Sequence, residues 1–397
     1  MNLLNEIEQV AKHSIGTAKN LPFGSYTSLE VYNAEQKSIF SQDWVFVCFQ
    51  ADVKNPGDYQ TSTIAGEPIA VVHGKDGKLR ALSNVCRHRG AVLLQDRAGS
   101  LKKNKISCTY HAWNYSDVGA LEGIPFRGKV EINREEHCLP QFQLEVMHGL
   151  VFVSLNDEAP PLQERFKGIE KYLSAYQVEN YLYSSGTTSE NWDANWKLAM
   201  ENFLEGYHFF AVHKETVEPE APTKKVYYIE GHADWSISGG KQKDYPHTLL
   251  GMLTSKAKEV EYLTICLPPN FVFLQYDGYI SWVRALPTGP SSCELSYGTV
   301  ASFPFKESKY ETNYAKKFFK EDRDICELVQ QGMTSQRSKG GKLVELERAI
   351  VDFHQYLVKW LLGKDYSNLY QSEHYDKFKT QSLESSTSGR ALQRVLK

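Results

Sequence analysis

Two short pairs of metal-seeking side chains constrain this chain more than anything else in it: Cys86 with His88, and Cys108 with His111. The first pair reads C-x-H and the second C-x-x-H, and nineteen residues separate His88 from Cys108. That gap is long enough for a hairpin that brings two loop tips together. Two thiols and two imidazoles in this alternating order suit a [2Fe–2S] cluster with one iron on the cysteines and the other on the histidines. Exchanging two thiolates for neutral imidazoles removes negative charge, so such a cluster is easier to reduce than a four-cysteine one. A structural zinc site is the competing reading. Zinc ligand sets usually group Cys with Cys and His with His, and the mixed order here argues against it.

A second metal signature follows in ENFLEGYHFFAVH, where Glu205, His208 and His213 lie close together. Two histidines and a carboxylate from elsewhere make the facial triad of a non-haem Fe(II) centre, with positions left open for dioxygen. Glu205 and His208 share a face if residues 195–213 are one helix. His208 and His213 then lie about 140° apart. Both can reach one ion only if the helix is distorted or ends, and a π-type bulge near residues 209–212 is the expected device. The missing carboxylate is sought in KEDRDICELVQ (320–330): Asp322 is preferred, then Asp324, then Glu321. Carboxylates also favour the first turns of helices for electrostatic reasons, so the acidic cluster alone does not choose among them.

The remaining composition narrows the class. The net charge of −3 gives no footprint for a nucleic acid or an anionic membrane. Seven scattered cysteines are no secreted disulfide framework. The N-terminus lacks a signal-peptide stretch, and no run approaches the roughly 18 apolar residues of a spanning helix. A cytoplasmic protein is expected.

Strands are read at 44–49, 68–74, 78–84, 105–113 and 149–155, separated by glycine-rich turns: the texture of a small all-β unit with metal loops at its tips. DEAPPL (157–162) marks a boundary. Beyond it come helices at 166–176, 195–213, 311–332 and 342–362, around strands at 262–287 and 293–305. Without regular βαβ alternation, this is α+β. The expected organisation is an N-terminal helical segment (1–43) packed on the catalytic unit, a cluster domain (44–156), a catalytic domain (157–382) and a flexible tail (383–397).

CRHRG, CTYHAW, NWKLAMENFLEGYH, the His213 spacing and EDxxxCExVQ together resemble the large subunit of the Rieske non-haem iron oxygenases, also called aromatic-ring-hydroxylating oxygenases. The resemblance runs from about Trp44 to Gln330. It implies an all-β Rieske domain, a helix-grip catalytic domain with an antiparallel sheet, and a homotrimer. It supports Asp322 as third iron ligand. It also implies that electrons cross between subunits, with Glu205 bridging His208 to His111 of the partner subunit. Many members have Asp at that place; Glu occurs in some, including enzymes acting on quaternary amines.

The implied activity is that of a terminal oxygenase using O₂ and two electrons. No GxGxxG loop follows a strand, so a separate reductase, with or without a ferredoxin, must supply electrons. The substrate is expected to be a small aromatic compound, hydroxylated by mono- or dioxygenation. Alternatives are N-demethylation or C–N cleavage of a quaternary amine of choline, betaine or carnitine type, or a Rieske electron carrier without oxygenase activity. Phe203, Phe209, Phe210, Phe273, Tyr276, Tyr279 and Trp282 are candidate pocket aromatics. Arg284 is a candidate partner for a substrate carboxylate, against the commoner fate of a solvated strand arginine.

Overall fold

The computed structural model describes residues 3–244, 258–305 and 309–369; the tail expected over 383–397 lies outside the described residues. The first Cys/His loop follows the strand Leu79–Ser83 of a seven-stranded antiparallel sheet. Its order is Val45–Phe49, Leu150–Ser154, Gln141–Met147, Leu79–Ser83, Glu67–His73, Asp58–Ile64 and Ala98–Ser100. A three-stranded sheet of Lys105–Ser107, Asn114–Ser116 and Leu121–Gly123 carries the second loop. The strand expected over 105–113 thus stops at Ser107. The backbone turns there, with Ala112 in the left-handed region at φ 55°.

The strand Val45–Phe49 serves two cores. All five residues are buried, as expected of a strand covered on both faces. Val45 and Val47 join Ile69, Val71, Val151 and Val153. Phe46 and Phe49 turn the other way, towards Phe271, Phe273 and Trp282 of the catalytic sheet. The Phe46 and Phe271 rings stack with centroids 3.6 Å apart. Asn270 clamps the Phe46 peptide: its Oδ1 accepts the Phe46 N–H at 3.1 Å and its Nδ2 donates to the Phe46 carbonyl at 3.0 Å.

Arg284 completes this seam. It is fully buried, donates to the Val47 carbonyl and reaches Ser296 Oγ at 3.2 Å. It is neither solvated nor turned into a substrate pocket, which corrects both readings made from its strand position.

The catalytic sheet has eight antiparallel strands. Seven follow in the order Tyr183–Ser184, Ser292–Ala301, Tyr279–Gly289, Phe271–Tyr276, Lys258–Leu267, Trp235–Asp244 and Tyr227–His232, and Thr188–Trp192 also pairs with Ser292–Ala301. Alternation sorts its faces. Leu263, Ile265, Phe271, Phe273, Ile280 and Trp282 pack towards Phe46, Phe152, Phe166 and Tyr172. Cys266, Val272, Val283, Ala285 and Leu295 face the helices. Those helices are Trp196–Leu204, Lys309–Gly332 and Arg348–Leu362. The helix Leu3–Ala11 adds Ile7 and Ala11 to the same core as Phe353 and Leu357, and Glu8 Oε2 meets Lys364 Nζ at 2.8 Å.

Candidate metal centres and active site

The two cluster loops close in the same way. Cys86 N–H donates to Ala91 O at 2.8 Å, and Cys86 O accepts from Gly90 N at 3.0 Å. Cys108 N–H donates to Trp113 O at 2.8 Å, and Cys108 O accepts from Ala112 N at 3.0 Å. Each loop therefore needs a left-handed residue four places after its cysteine. Gly90 takes that conformation easily at φ 75°; Ala112 takes it at a steric cost.

The closure presents both thiols inward and both imidazoles outward. Cys86 and Cys108 are buried, whereas His88 and His111 are exposed. The two imidazole rings lie 4.7 Å apart, and His88 stacks on Trp113 at 6°. Desolvation and the nearby His111 and Arg89 charges hold the His88 imidazole below its ordinary pKa, hence neutral, as a metal ligand must be. The Tyr115 hydroxyl accepts the Arg87 N–H at 3.0 Å and lies 3.3 Å from Cys86 Sγ. Two buried sulfurs beside two adjoining imidazoles fit a mixed-ligand cluster. Sequence reasoning missed Trp113 and Tyr115 as its supports.

The second centre forms where a helix fails. Asn195 caps Trp196–Leu204, its side chain accepting Lys197 N–H at 2.9 Å. The helix stops at Glu205, whose backbone is extended at φ −133°, ψ 159°. Gly206 is required next, since a Cβ there would lie 2.7 Å from Val226 Cγ2. The Glu205 carboxylate takes the N–H groups of Tyr207 and His208. A single turn then forms over Phe209–Val212, flanked by His208 and His213. The single helix expected over 195–213 is thus two helices with a break at Glu205. No π-bulge lies at 209–212; the π-turn among the described residues is at Gln36–Phe40.

This break brings the two histidines together against Asp322 of the long Lys309–Gly332 helix. His208 Nε2 lies 3.6 Å and His213 Nε2 3.0 Å from Asp322 Oδ1. One donor atom from each of the three lies within 4.8 Å of the other two. The remaining nitrogens are held from behind. His208 Nδ1 is 2.5 Å from Glu205 Oε1, and His213 Nδ1 is 2.8 Å from Glu321 Oε2. Glu321 also accepts from Thr216 Oγ1 at 2.6 Å. Asp324 points elsewhere, pairing with Lys320 at the surface. Of the three acids considered, Asp322 faces both imidazoles, Glu321 braces one of them, and Asp324 does neither.

The electrostatics suit a cation. Burial would depress the His208 imidazole, but the Glu205 and Asp322 carboxylates outweigh it and hold it up to about 10. Burial would raise Asp322, yet the two imidazoles hold its carboxyl below the ordinary range. Asn202 donates to Asp322 Oδ1 at 2.8 Å, while Asp322 Oδ2, fully buried, has no hydrogen-bond partner. An orphaned buried carboxylate oxygen beside two converging imidazole nitrogens fits a divalent ion with N₂O ligation.

A cavity of about 410 Å³ opens onto this triad. One wall is the helix side of the catalytic sheet, including Tyr262, Thr264, Tyr276, Tyr279, Ser281 and Tyr297; the other carries Phe203, Phe209, Phe318 and Phe319. Gly240 leaves room for Tyr262: a Cβ there would lie 2.3 Å from the Tyr262 hydroxyl. Of the aromatics picked from sequence, Phe203, Phe209, Tyr276, Tyr279 and Trp282 line it. Phe210 is solvent-exposed, and Phe273 is buried in the opposite core.

The family model for the Rieske [2Fe-2S] domain matches residues 43–142, and that for the ring hydroxylating alpha subunit (catalytic domain) matches residues 178–363. The chain belongs to the Rieske non-haem iron oxygenases and is the terminal component of such a system. Members work with separate reductase or ferredoxin donors and assemble into multimers. The carnitine monooxygenase oxygenase subunit of Acinetobacter baumannii is 27% identical over 357 residues, 83% of this chain and 90% of that one. The large oxygenase component of salicylate 5-hydroxylase from Ralstonia sp is 32% identical over 206 residues, 48% of each chain. Among solved structures, the quaternary ammonium Rieske monooxygenase CntA matches with a TM-score of 0.77 at 22% identity, covering 90% of this chain and 98% of that one. Naphthalene 1,2-dioxygenase from Rhodococcus sp. matches with a TM-score of 0.73 at 20% identity, covering 91% and 98%. No helix among the described residues is long and apolar enough to cross a membrane.

Proposed function

We propose that this chain is the oxygenase subunit of a monooxygenase acting on a small quaternary ammonium compound, by N-demethylation or C–N cleavage. In this reading Cys86, His88, Cys108 and His111 hold the Rieske cluster, and His208, His213 and Asp322 hold iron. Bound there, the two metal groups supply one-electron delivery and dioxygen activation.

The protein's part is positional. Glu205 and Glu321 fix the ring orientations of His208 and His213, which leaves both Nε2 atoms aimed at one point. Asn202 pins one oxygen of Asp322 and leaves the other for ligation. The cavity walls keep bulk water from the reacting face and turn the substrate's methyl-bearing end towards the triad. Glu205 carries electrons between subunits by bridging His208 to His111 of the partner subunit, so the working unit is a homotrimer, located in the cytoplasm and fed by its own reductase.

The observation that carries the substrate class is the charge of the cavity lining. Histidine aside, its charged residues are Glu205, Glu220, Asp322 and Lys316, and Lys316 is exposed to solvent. An aromatic acid would enter a chamber walled by carboxylates, whereas a cation meets acid groups and tyrosine faces, both attractive to it. The full-length similarity to carnitine monooxygenases and the Glu at position 205 agree with this reading.

The test is a panel of choline, glycine betaine, L-carnitine, salicylate and benzoate, run with a surrogate reductase and followed by O₂ uptake and product. Formation of an aldehyde with loss of an amine or a methyl group from one of the ammonium compounds is the expected result. Coupled hydroxylation of an aromatic acid, with the ammonium compounds inert, would overturn it.

A further inference from the structure

One carboxylate in the cavity has no assignment. Asp322 and Glu205 are committed to the triad and to His208. Glu220 is not: it lines the same cavity from the loop that follows the triad histidines. Its backbone is pinned at both ends of the peptide, with Glu220 N–H donating to Val217 O at 2.9 Å and Lys243 N–H donating to Glu220 O at 2.9 Å. The second bond ties it to the strand Trp235–Asp244, so the side chain leaves from a fixed point.

The cavity it lines is rich in tyrosine. The field of the Glu220 carboxylate reaches Tyr276. Tyr276 stacks on Tyr279 with centroids 4.4 Å apart, and the Tyr262 ring lies 5.9 Å from that of Tyr276. All three tyrosines line the cavity. Among the described residues the carboxylate oxygens of Glu220 take no hydrogen bond and no ion pair. The nearby cation is Lys243, and its ammonium donates to the Pro219 carbonyl at 2.8 Å. Burial raises the Glu220 carboxyl and Lys243 opposes that rise. A half-buried carboxylate that shares one cavity with three tyrosine rings makes a receptor for a methylated cation: the rings attract the methyl groups and the acid supplies the countercharge.

We propose that Glu220 is the specificity-determining countercharge for the substrate's quaternary ammonium group, with Tyr262, Tyr276 and Tyr279 forming the aromatic part of that subsite. This rests on the ammonium reading of the cavity given above. A tetramethyl-type cation is too diffuse to bond to one oxygen, so the selection is for charge and shape together. A neutral analogue of the same shape fills the tyrosine box but gains nothing from Glu220.

The experiment compares each of choline, glycine betaine and L-carnitine with its carbon isostere, in which a quaternary carbon replaces the nitrogen. Binding to the metal-loaded, full-length protein is measured by calorimetry without oxygen or reductant, so no turnover is involved. The wild type is expected to prefer at least one cation over its isostere. Glu220→Gln should weaken that cation about tenfold or more, the factor that corresponds to losing the coulombic attraction of one partly buried carboxylate. Isostere affinity should stay the same, which also reports an intact cavity. Tyr276→Leu, placed on the sheet rather than the loop, should likewise erode the preference for charge. A variant E220Q that keeps the full preference would overturn the role of Glu220 while leaving the ammonium reading standing. A wild type that binds cation and isostere alike, or neither, would overturn the ammonium reading and this proposal with it.

Discussion

His213 is braced by the residue that precedes the triad aspartate: its Nδ1 lies 2.8 Å from Glu321 Oε2, while its Nε2 lies 3.0 Å from Asp322 Oδ1. Consecutive acids on one helix thus grip opposite edges of one imidazole. Partners of this kind fix the ring orientation and its tautomer, and their loss typically costs 10–100-fold in metal affinity. Glu321→Ala should therefore bind Fe(II) about 10–100-fold more weakly than wild type, with the cluster spectrum unchanged. Asp324→Ala, which removes only a surface pair with Lys320, should leave iron affinity alone. Equal effects from the two substitutions would remove the distinction between them.

Glu205 makes a different prediction, because its proposed role lies between subunits as well as within one. Glu205→Ala at saturating iron should retain wild-type iron content and a reducible cluster, yet form no product. Normal product formation would dispose of the bridge between His208 and His111 of the partner subunit.

The protonation state of the triad sets a pH dependence for iron loading. With its pKa raised to about 10, the His208 imidazole of the metal-free protein is charged throughout the neutral range. Its share of stability in that state is fully present below the unfolded value of about 6.5 and is lost as pH rises through about 10. Iron must displace this proton, so apparent affinity should rise roughly tenfold per pH unit between about 7 and 9. Calorimetry in buffers of different ionisation enthalpy should detect the released proton. A flat affinity profile would contradict the ion-pair arrangement of His208.

How much of this was readable beforehand depends on the range of the interaction. The cluster loops are local motifs, since each cysteine and histidine pair lies within one turn of chain, and the sequence showed both pairs directly. The break at Glu205 was only half visible. The geometric conflict between His208 and His213 demanded some distortion, but the need for glycine at 206 comes from Val226, twenty residues on, a contact with no local trace. Arg284 is opaque in the sequence for a similar cause. Its partner is the Val47 carbonyl, which belongs to the other sheet. Glu220 gave no signal at all, because a glutamate in a loop is unremarkable until the fold places it on the wall of a tyrosine-lined cavity.

The cluster potential should respond to Tyr115. The Arg87 N–H occupies the lone-pair side of its hydroxyl at 3.0 Å, leaving the proton free for Cys86 Sγ at 3.3 Å. A hydrogen bond to a cluster sulfur favours the more negatively charged reduced state. Tyr115→Phe should lower the midpoint potential by on the order of 40 mV, if the bond is worth about 1 kcal/mol in a one-electron couple. A potentiometric titration followed by the visible absorption of the cluster would measure it, and an unchanged potential would mean that the hydroxyl does not donate to that sulfur.

The seam between the two sheets should make them melt together. Val45–Phe49 is an edge strand of the cluster sheet, yet Asn270 holds the Phe46 peptide by both its N–H and its carbonyl. Phe46 itself stacks on Phe271. Unfolding the catalytic sheet therefore strips a strand's worth of packing from its neighbour, and scanning calorimetry of the wild type should show one transition. Asn270→Ala leaves two buried backbone groups without partners, at about 1–3 kcal/mol each. It should lower the melting temperature and split the transition in two, with the cluster's visible absorption following only one of the steps. A variant that melts in a single step at the wild-type temperature would show that the stacked aromatics, rather than the Asn270 clamp, couple the halves.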